Sequence, residues 1–426
     1  MKDGHIIITL MLSILTISMR LIEGDRVNAG LSSLPVLVAG GGIGGIAAAL
    51  ALARRGFAVK VLEQASQLGE IGAGIQFGPN AFAALDALGM GDLARERAVY
   101  TDEMVMHDAI DETCVGRIPT GAAFRERFGN PYAVIHRADI HAALLEGAQR
   151  AGQIELATGT AVQRVEHASD GVVVYDQRGQ AHRGQAVIGA DGVKSAVRRQ
   201  FVGDEARVSG HVVYRAVVDK ADFPANLRWN AASIWVGPNC HLVHYPLRGG
   251  EQYNVVVTFH SRETEEWSVR EGSREEVLSY FDGICAKARQ LIELPKDWKR
   301  WATADREPIG QWVYGRAVLL GDAAHPTLQY LAQGACMAME DAVTLGEALR
   351  LSDNDVDQAF ALYQRSRVAR TARVVLSARE MGRIFHARGV ERLVRNDLWR
   401  DRPPARYYDA MEWLYGWNVE NCIAKT

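Results

Sequence analysis

Hydrophobic positions along this chain fall into three short apolar runs that each break into a glycine turn. The first, Pro35-Val36-Leu37-Val38-Ala39, ends in Gly40-Gly41-Gly42-Ile43-Gly44-Gly45. An Ala/Leu-rich stretch of helical character follows to Arg54-Arg55, Gly56 stops it, and a further apolar stretch from Ala58 to Leu62 ends in Glu63. That order predicts strand, glycine turn, helix, strand: a parallel pair joined by a right-handed crossover. The second run, Val187-Ile188-Gly189-Ala190, leads into Asp191-Gly192, with Ser195 and Arg198 spaced as at a helix start. The third, Ala317-Val318-Leu319-Leu320, leads into Gly321-Asp322 and then His325-Pro326. Between about 206 and 300 the pattern changes to alternation, in His211–Val218, His241–Tyr245 and Tyr253–Phe259. Consecutive strands with little helix between them predict a mostly antiparallel sheet. From about Met337 to Arg395 the chain is rich in Ala, Leu, Glu and Arg and predicts helices.

The N-terminal apolar run, Ile6 to Met19, sits behind Lys2 and ahead of Arg20. It is short for a membrane span and resembles the core of a signal peptide. No small-x-small cleavage pattern follows directly, Val27-Asn28-Ala29-Gly30 being the nearest approach. A signal or anchor, an extra folded element and an over-long start all remain open. The last is favoured, because folds of this type start within a few residues of the chain end. Residues 1–31 are therefore set apart as an N-terminal extension.

Composition narrows the function classes. The 426 residues carry 48 Lys+Arg against 51 Asp+Glu, a net charge of −3, which excludes nucleic-acid binding by bulk charge. With 48% hydrophobic and 23% charged residues the chain is neither disordered, collagen-like nor a polytopic membrane protein, and its length suits two or three domains. No stable membrane association is expected. Five cysteines lie far apart without a CxxC pair, which fits reduced cytoplasmic thiols and offers no metal site.

Gly40, Gly42 and Gly45 occupy the three glycine positions of GxGxxG. The first allows the tight turn, the second lets backbone approach a pyrophosphate, and the third lets helix pack on strand. The helix N-terminus then offers free N–H groups and a positive dipole to phosphate. Glu63, about twenty residues on, is placed to accept hydrogen bonds from ribose hydroxyls. A second GxGxxG is absent, so one dinucleotide fold serves a chain most of whose length follows it. A single Asp-Gly is often only a turn. Two such segments behind apolar runs, following the glycine motif in this order, point to one cofactor site built from all three.

The trio GxGxxG, DGxxSxxR and GDAAHP resembles the single-component flavoprotein aromatic hydroxylases, the family of p-hydroxybenzoate and salicylate hydroxylases, over residues 34–426. The resemblance implies an α/β fold: a Rossmann-like FAD-binding domain (residues 32–205 and 301–345), an inserted mostly antiparallel-sheet substrate domain (206–300) and a helical C-terminal region (346–426). It implies FAD along the first motif. Asp191, Gly192, Ser195 and Arg198 match the segment that serves flavin and nicotinamide. Gly321 and Asp322 match the part that holds the ribityl chain, Pro326 the proline beside the flavin ring, and Arg137 an arginine that steadies the FAD phosphates. The reductant is expected to be NADH before NADPH, bound transiently; dioxygen and a hydroxybenzoate are the other reactants, and a homodimer is allowed. Gly69–Gln76, His241–Gly250, Leu328–Ala335 and Tyr408–Trp417 resemble more closely the 3-hydroxybenzoate 6-hydroxylases, which make gentisate by way of a flavin hydroperoxide. One departure stands out: the family's Gly-Gln-Gly-Ala-Asn reads Ala332-Gln333-Gly334-Ala335-Cys336 here.

Oxygen insertion into a phenol goes best when the ring is electron-rich, so the site should polarise or deprotonate the hydroxyl. His241 is the expected partner, since imidazole does base work near neutral pH. Tyr245, four residues on, shares its strand face, and His244 faces the other way. Gln329, just past the proline loop, is expected to bind substrate, and His325 to anchor that loop. Arg215 and Arg248 are unranked candidates for the substrate carboxylate. A salicylate 1-hydroxylase or another hydroxybenzoate hydroxylase, a flavin oxidase or reductase that never inserts oxygen, and a non-catalytic FAD-binding protein are the alternatives.

Overall fold

A computed structural model of the chain describes residues 34–69 and 73–424. The N-terminal apolar run and Glu70–Gly72 of the Gly69–Gln76 segment lie outside the described residues. The cofactor half is a six-stranded sheet in the order Val313–Tyr314, Ala317–Leu319, Ala186–Gly189, Val36–Ala39, Val59–Leu62, Ile154–Ala157. All pairs are parallel except the edge strand Val313–Tyr314. Its strands Val36–Ala39, Ala186–Gly189 and Ala317–Leu319 are fully buried runs because helices and further chain cover them, as parallel sheets require, whereas Lys60 and Glu155 pair on the two strands towards the other edge. The helix Ile43–Arg54 packs against Gly334–Leu351, with small residues at the contact: a Cβ on Gly44 would lie 3.1 Å from that of Ala338.

The register explains how three motifs spread over almost 300 residues become one place. Ala39 pairs with Gly189, and Gly189 with Leu319, so the three runs end side by side at the carboxyl edge of the sheet. Crevices outside that edge are where open α/β sheets bind ligands.

The second sheet has eight strands in the order Val269–Gly272, Trp298–Asp305, Arg207–Asp219, Gln252–His260, Cys240–Leu247, Ala231–Gly237, Glu103–Asp108, Cys114–Pro119. The middle segment is antiparallel, as its alternation predicts. Two strands, however, come from chain positions 103–119, far ahead of residue 206, and Glu103–Asp108 joins Ala231–Gly237 in parallel. The inserted sheet is therefore completed from within the 32–205 segment. Two helices, Arg274–Tyr280 and Ala286–Glu293, cover one face of the sheet around a core that includes Tyr214, Leu242, Val257 and Phe281. The C-terminal helices Val356–Phe385, Gly389–Trp399 and Pro404–Tyr415 cover the other. No helix among the described residues is long and apolar enough to cross a membrane.

Candidate functional site

The cofactor end is shaped by steric needs of the glycine turn. Gly40 has φ +102°, and a Cβ there would lie 2.4 Å from the carbonyl oxygen of Ala190. A Cβ on Gly45 would lie 1.9 Å from the carbonyl oxygen of Gly40. Gly42 differs: a Cβ would meet nothing within 4 Å among the described residues beyond its own chain neighbours and helix backbone. The chain leaves space over this residue, at a helix N-terminus with no acidic side chain in its first turn and no side-chain cap. Open space and unclaimed N–H groups at a dipole's positive end suit a phosphate group. Glu63 sits at the turn, accepting from Gly41 N–H (2.6 Å) and Ala65 N–H (2.7 Å). The helix Arg137–Ala151 is tied to the turn by His141 Nε2, 2.7 Å from the Gly41 carbonyl.

The second and third motifs are bound to each other. Asp191 is turned into its own helix start, accepting from Ser195 Oγ (2.5 Å) and Ala196 N–H (2.7 Å), and burial raises its pKa. Ser195 Oγ in turn caps the helix Ala196–Phe201 through Arg198 N–H. The buried Arg198 guanidinium pairs with Asp204 (2.7 Å) and donates to the carbonyls of Ala323 (3.1 Å) and Ala324 (2.6 Å), beyond Gly321-Asp322. It clamps one loop to the other and does not reach the cavity. Behind the third loop, Asp341 accepts from Gly321 N–H (3.0 Å), His325 Nε2 (2.5 Å) and Arg367 Nε (2.6 Å). His325 thus anchors the loop, as its position suggests. Pro326 is buried beside it.

One cavity of about 1090 Å³ runs from these loops to the second sheet. That is just above the roughly 300–1,000 Å³ of ordinary ligand pockets, room for a large cofactor and a small substrate together. Gly42, Arg137, Gly192, Gly321 and Asp322 line it, as do Arg215, His241, Tyr245 and Gln329, and Arg137 lies near enough to Arg215 for the two cations to repel. Gly40, Gly45, Glu63, Asp191, Arg198 and Pro326 shape the loops without lining it. These features fit FAD: an anion socket over Gly42, an arginine at the cavity wall, and a long apolar channel onward.

The strand Cys240–Leu247 divides its side chains by the two-residue period. Cys240 and Leu242 enter the core behind the sheet, and His244 stacks with Phe223 (6.1 Å) behind it. His241 and Tyr245 face the cavity, as the spacing predicts. Tyr214 faces away, its hydroxyl donating to Glu276. Burial, with a smaller push from His211, lowers the His241 pKa to about 3, so its ring is neutral at pH 7. Burial pushes the Tyr245 hydroxyl up. Gln329 Nε2 lies 3.4 Å from Thr258 Oγ1, the residue paired with His241 across the sheet. The loop then turns at Ala332 with φ +53°, a left-handed conformation that costs a non-glycine residue about 1–2 kcal/mol. Cys336, in the other departed position, is buried with Sγ 3.7 Å from the Gln76 and Ala332 carbonyls.

The two arginine candidates separate. Arg248 is exposed and paired with Asp139 (2.8 Å). Arg215 lines the cavity, its guanidinium 5.6 Å over the Trp301 ring, and burial lowers its pKa. Sequence reading alone did not find His386, whose Nε2 lies 2.8 Å from His241 Nδ1, nor the lining residue Met106, and it gave no role to Gln76 and Tyr330, which line the cavity from the Gly69–Gln76 and Leu328–Ala335 segments. Met411, Trp413 and Tyr415 also line the cavity, from the C-terminal segment whose likeness to hydroxylases had no stated role.

Residues 33–378 match the family described as FAD binding domain. The 3-hydroxybenzoate 6-hydroxylase of Polaromonas naphthalenivorans (strain CJ2) is 77% identical over 394 residues, 92% of this chain and 98% of that protein. The 3-hydroxybenzoate 6-hydroxylase of Klebsiella oxytoca is 58% identical over 387 residues, 91% and 98% of the two chains. Among solved structures, Klebsiella pneumoniae HpxO complexed with FAD and uric acid superposes with TM-score 0.79 at 28% identity, covering 90% of this chain and 97% of its own.

Proposed function

Because the chain belongs to the family of FAD-dependent aromatic monooxygenases, we propose that it hydroxylates 3-hydroxybenzoate para to its hydroxyl, giving gentisate. The balance is one dioxygen and one NADH with a proton consumed, one oxygen atom entering the ring and the other leaving as water. The observation that carries the proposal is the single cavity that joins the cofactor loops to His241, Tyr245, Gln329 and Arg215. FAD, when bound and reduced, supplies the electrons and activates the oxygen.

The chain's own residues orient the substrate and manage its proton. Arg215, cationic at the cavity wall, takes the carboxylate; Arg248 is already neutralised by Asp139. His241 meets the phenol with the nitrogen not bonded to His386. A neutral imidazole accepts from a hydroxyl where a protonated one cannot. Tyr245 and Gln329 flank the ring, and the C-terminal aromatic residues exclude water from it.

The test is a product chromatogram from 3-hydroxybenzoate and salicylate, each with FAD, NADH and air. Gentisate from the first, with NADH consumed in equal amount, supports the proposal. Catechol from the second at the greater rate reassigns the chain to salicylate 1-hydroxylation, and NADPH supporting the faster turnover reassigns the reductant.

A further inference from the structure

Four histidines connect the substrate end of the cavity to the protein surface. His241 Nδ1 lies 2.8 Å from Nε2 of His386, the residue that ends the helix Val356–Phe385. The His386 ring meets that of His211 edge-on, with centroids 5.2 Å apart and planes at 82°. His211 meets His260, its partner across the sheet, in the same way at 5.2 Å and 81°. His260 ends the strand Gln252–His260 and is exposed. Tyr330 adds a hydroxyl 2.8 Å from His211 Nδ1. No group of three or more His, Cys, Asp or Glu among the described residues is arranged to hold a metal ion.

The surroundings decide what that use is. The groups facing His386 are His241, His211, His260, Tyr330 and Arg395, with no carboxylate among them. Arg395 already has Asp108 as its counter-charge at 3.0 Å. The partners beyond His386 are neutral, the Tyr330 hydroxyl at His211 Nδ1 (2.8 Å) and the Ser261 carbonyl at His260 Nδ1 (3.1 Å), so no counter-charge traps a proton on the row. Burial keeps His241, His211 and His386 neutral well below pH 7.

We propose that His386, with His211 and His260 beyond it, passes the phenol proton from His241 to solvent, leaving the substrate as the phenolate. The inference rests on His241 being the phenol's partner. The phenol O–H bond breaks and its electron pair stays on oxygen, while the proton bonds to His241 Nε2. The proton on His241 Nδ1 passes to His386 Nε2, and His386 releases its Nδ1 proton towards His211, His260 and water. Every ring ends neutral and nothing is oxidised. His386, His211 and His260 touch edge-on without a hydrogen bond, so each of these two steps needs a ring rotation to bring the nitrogens into line. His386 is a relay and positioning residue; it does not touch the substrate.

His386→Gln tests this in the FAD-loaded enzyme, because an amide keeps a hydrogen bond to His241 but passes no proton. Proton release on mixing with 3-hydroxybenzoate is followed with phenol red in weakly buffered solution. Release is expected to slow at least about tenfold, with FAD content, KM and NADH reduction kept, and gentisate per NADH falling. Coupling should recover as pH rises towards the phenol's own pKa of about 10, where the substrate arrives ionised. His260→Gln, at the surface and outside the core, should show a smaller slowing that imidazole buffer restores. Normal proton release and coupling in His386→Gln overturns the relay, and so does a defect confined to FAD content or KM that pH does not move. His241→Ala separates the two layers. Normal coupling there removes the reading of His241 itself, whereas uncoupling there beside a normal His386→Gln removes only the relay.

Discussion

Gly42 and Gly45 stand three residues apart in one turn, yet their substitutions should fail in opposite ways. Gly42 has φ −74° and ψ −176°, extended backbone open to any residue, and a Cβ there meets nothing within 4 Å among the described residues beyond its own chain neighbours and helix backbone. Gly42→Val therefore costs the chain itself little. Reduced freedom of the unfolded state contributes about 0.4–1 kcal/mol in its favour, and a poorer N-cap costs about the same. What the side chain occupies is the space kept for the cofactor's pyrophosphate. At FAD one hundred times its Kd the parent enzyme gains about 2.7 kcal/mol from binding, and Gly42→Val should gain none. Gly45→Ala inverts this. Its Cβ would lie 1.9 Å from the Gly40 carbonyl oxygen, so strand and helix must move apart. Overpacking of this kind costs about 1–3 kcal/mol with or without FAD. Urea midpoints followed by tryptophan fluorescence, with and without added FAD, distinguish the two. Full FAD-dependent stabilisation in Gly42→Val would refute the phosphate socket, and an unchanged midpoint in Gly45→Ala would refute the steric account of the turn.

His241→Ala should still bind FAD and still be reduced by NADH when substrate is present, but produce hydrogen peroxide in place of gentisate. Loss of base assistance costs on the order of 10² to 10⁴ in rate, and a peroxide assay beside the chromatogram reads the switch. Gln329→Ala should instead raise the substrate concentration needed to stimulate NADH oxidation, with coupling kept, because a positioning contact is lost; a KM unchanged from the parent would exclude it from substrate binding. Asp341 controls acid stability. Burial alone would raise its pKa, but His325 and Arg367 outweigh that and draw it from 3.8 to about 2. Its contribution, roughly 2 kcal/mol, is complete above the unfolded value and is lost as pH falls through about 2. Asp341→Asn should remove that slope and cost about 3 kcal/mol at pH 7, since Arg367 keeps only Glu340 as a counter-charge. Equal urea midpoints for variant and parent at pH 7 would show that the pair is dispensable.

Much of the cofactor half was legible because its signals are local. A run of apolar residues ending in glycine states a buried parallel strand and its turn within ten positions, and the clash at Gly45 is already implied by GxGxxG. The alternation over His241–Tyr245 likewise assigns His241 and Tyr245 to one face and His244 to the other before any fold is known. Ser195 as a helix cap follows from spacing alone.

What the tertiary structure decided is which distant pieces meet. Glu103–Asp108 and Cys114–Pro119 complete a sheet whose other strands begin at Arg207, and no residue in them announces it. Arg198 carries the type of a ligand-binding residue but is spent on Asp204 and two carbonyls. Arg215 and Arg248 are equal as sequence; only packing gives Arg248 a carboxylate and leaves Arg215 at the cavity. His386 lies 145 positions from His241 and belongs to a helix end with no motif. Hydrophobic period and turn chemistry are written in neighbouring residues, so a sequence states them directly. Contacts between remote elements are selected by close packing of the whole chain, and side chains such as Arg215 and His386 acquire their surroundings only when that packing is complete.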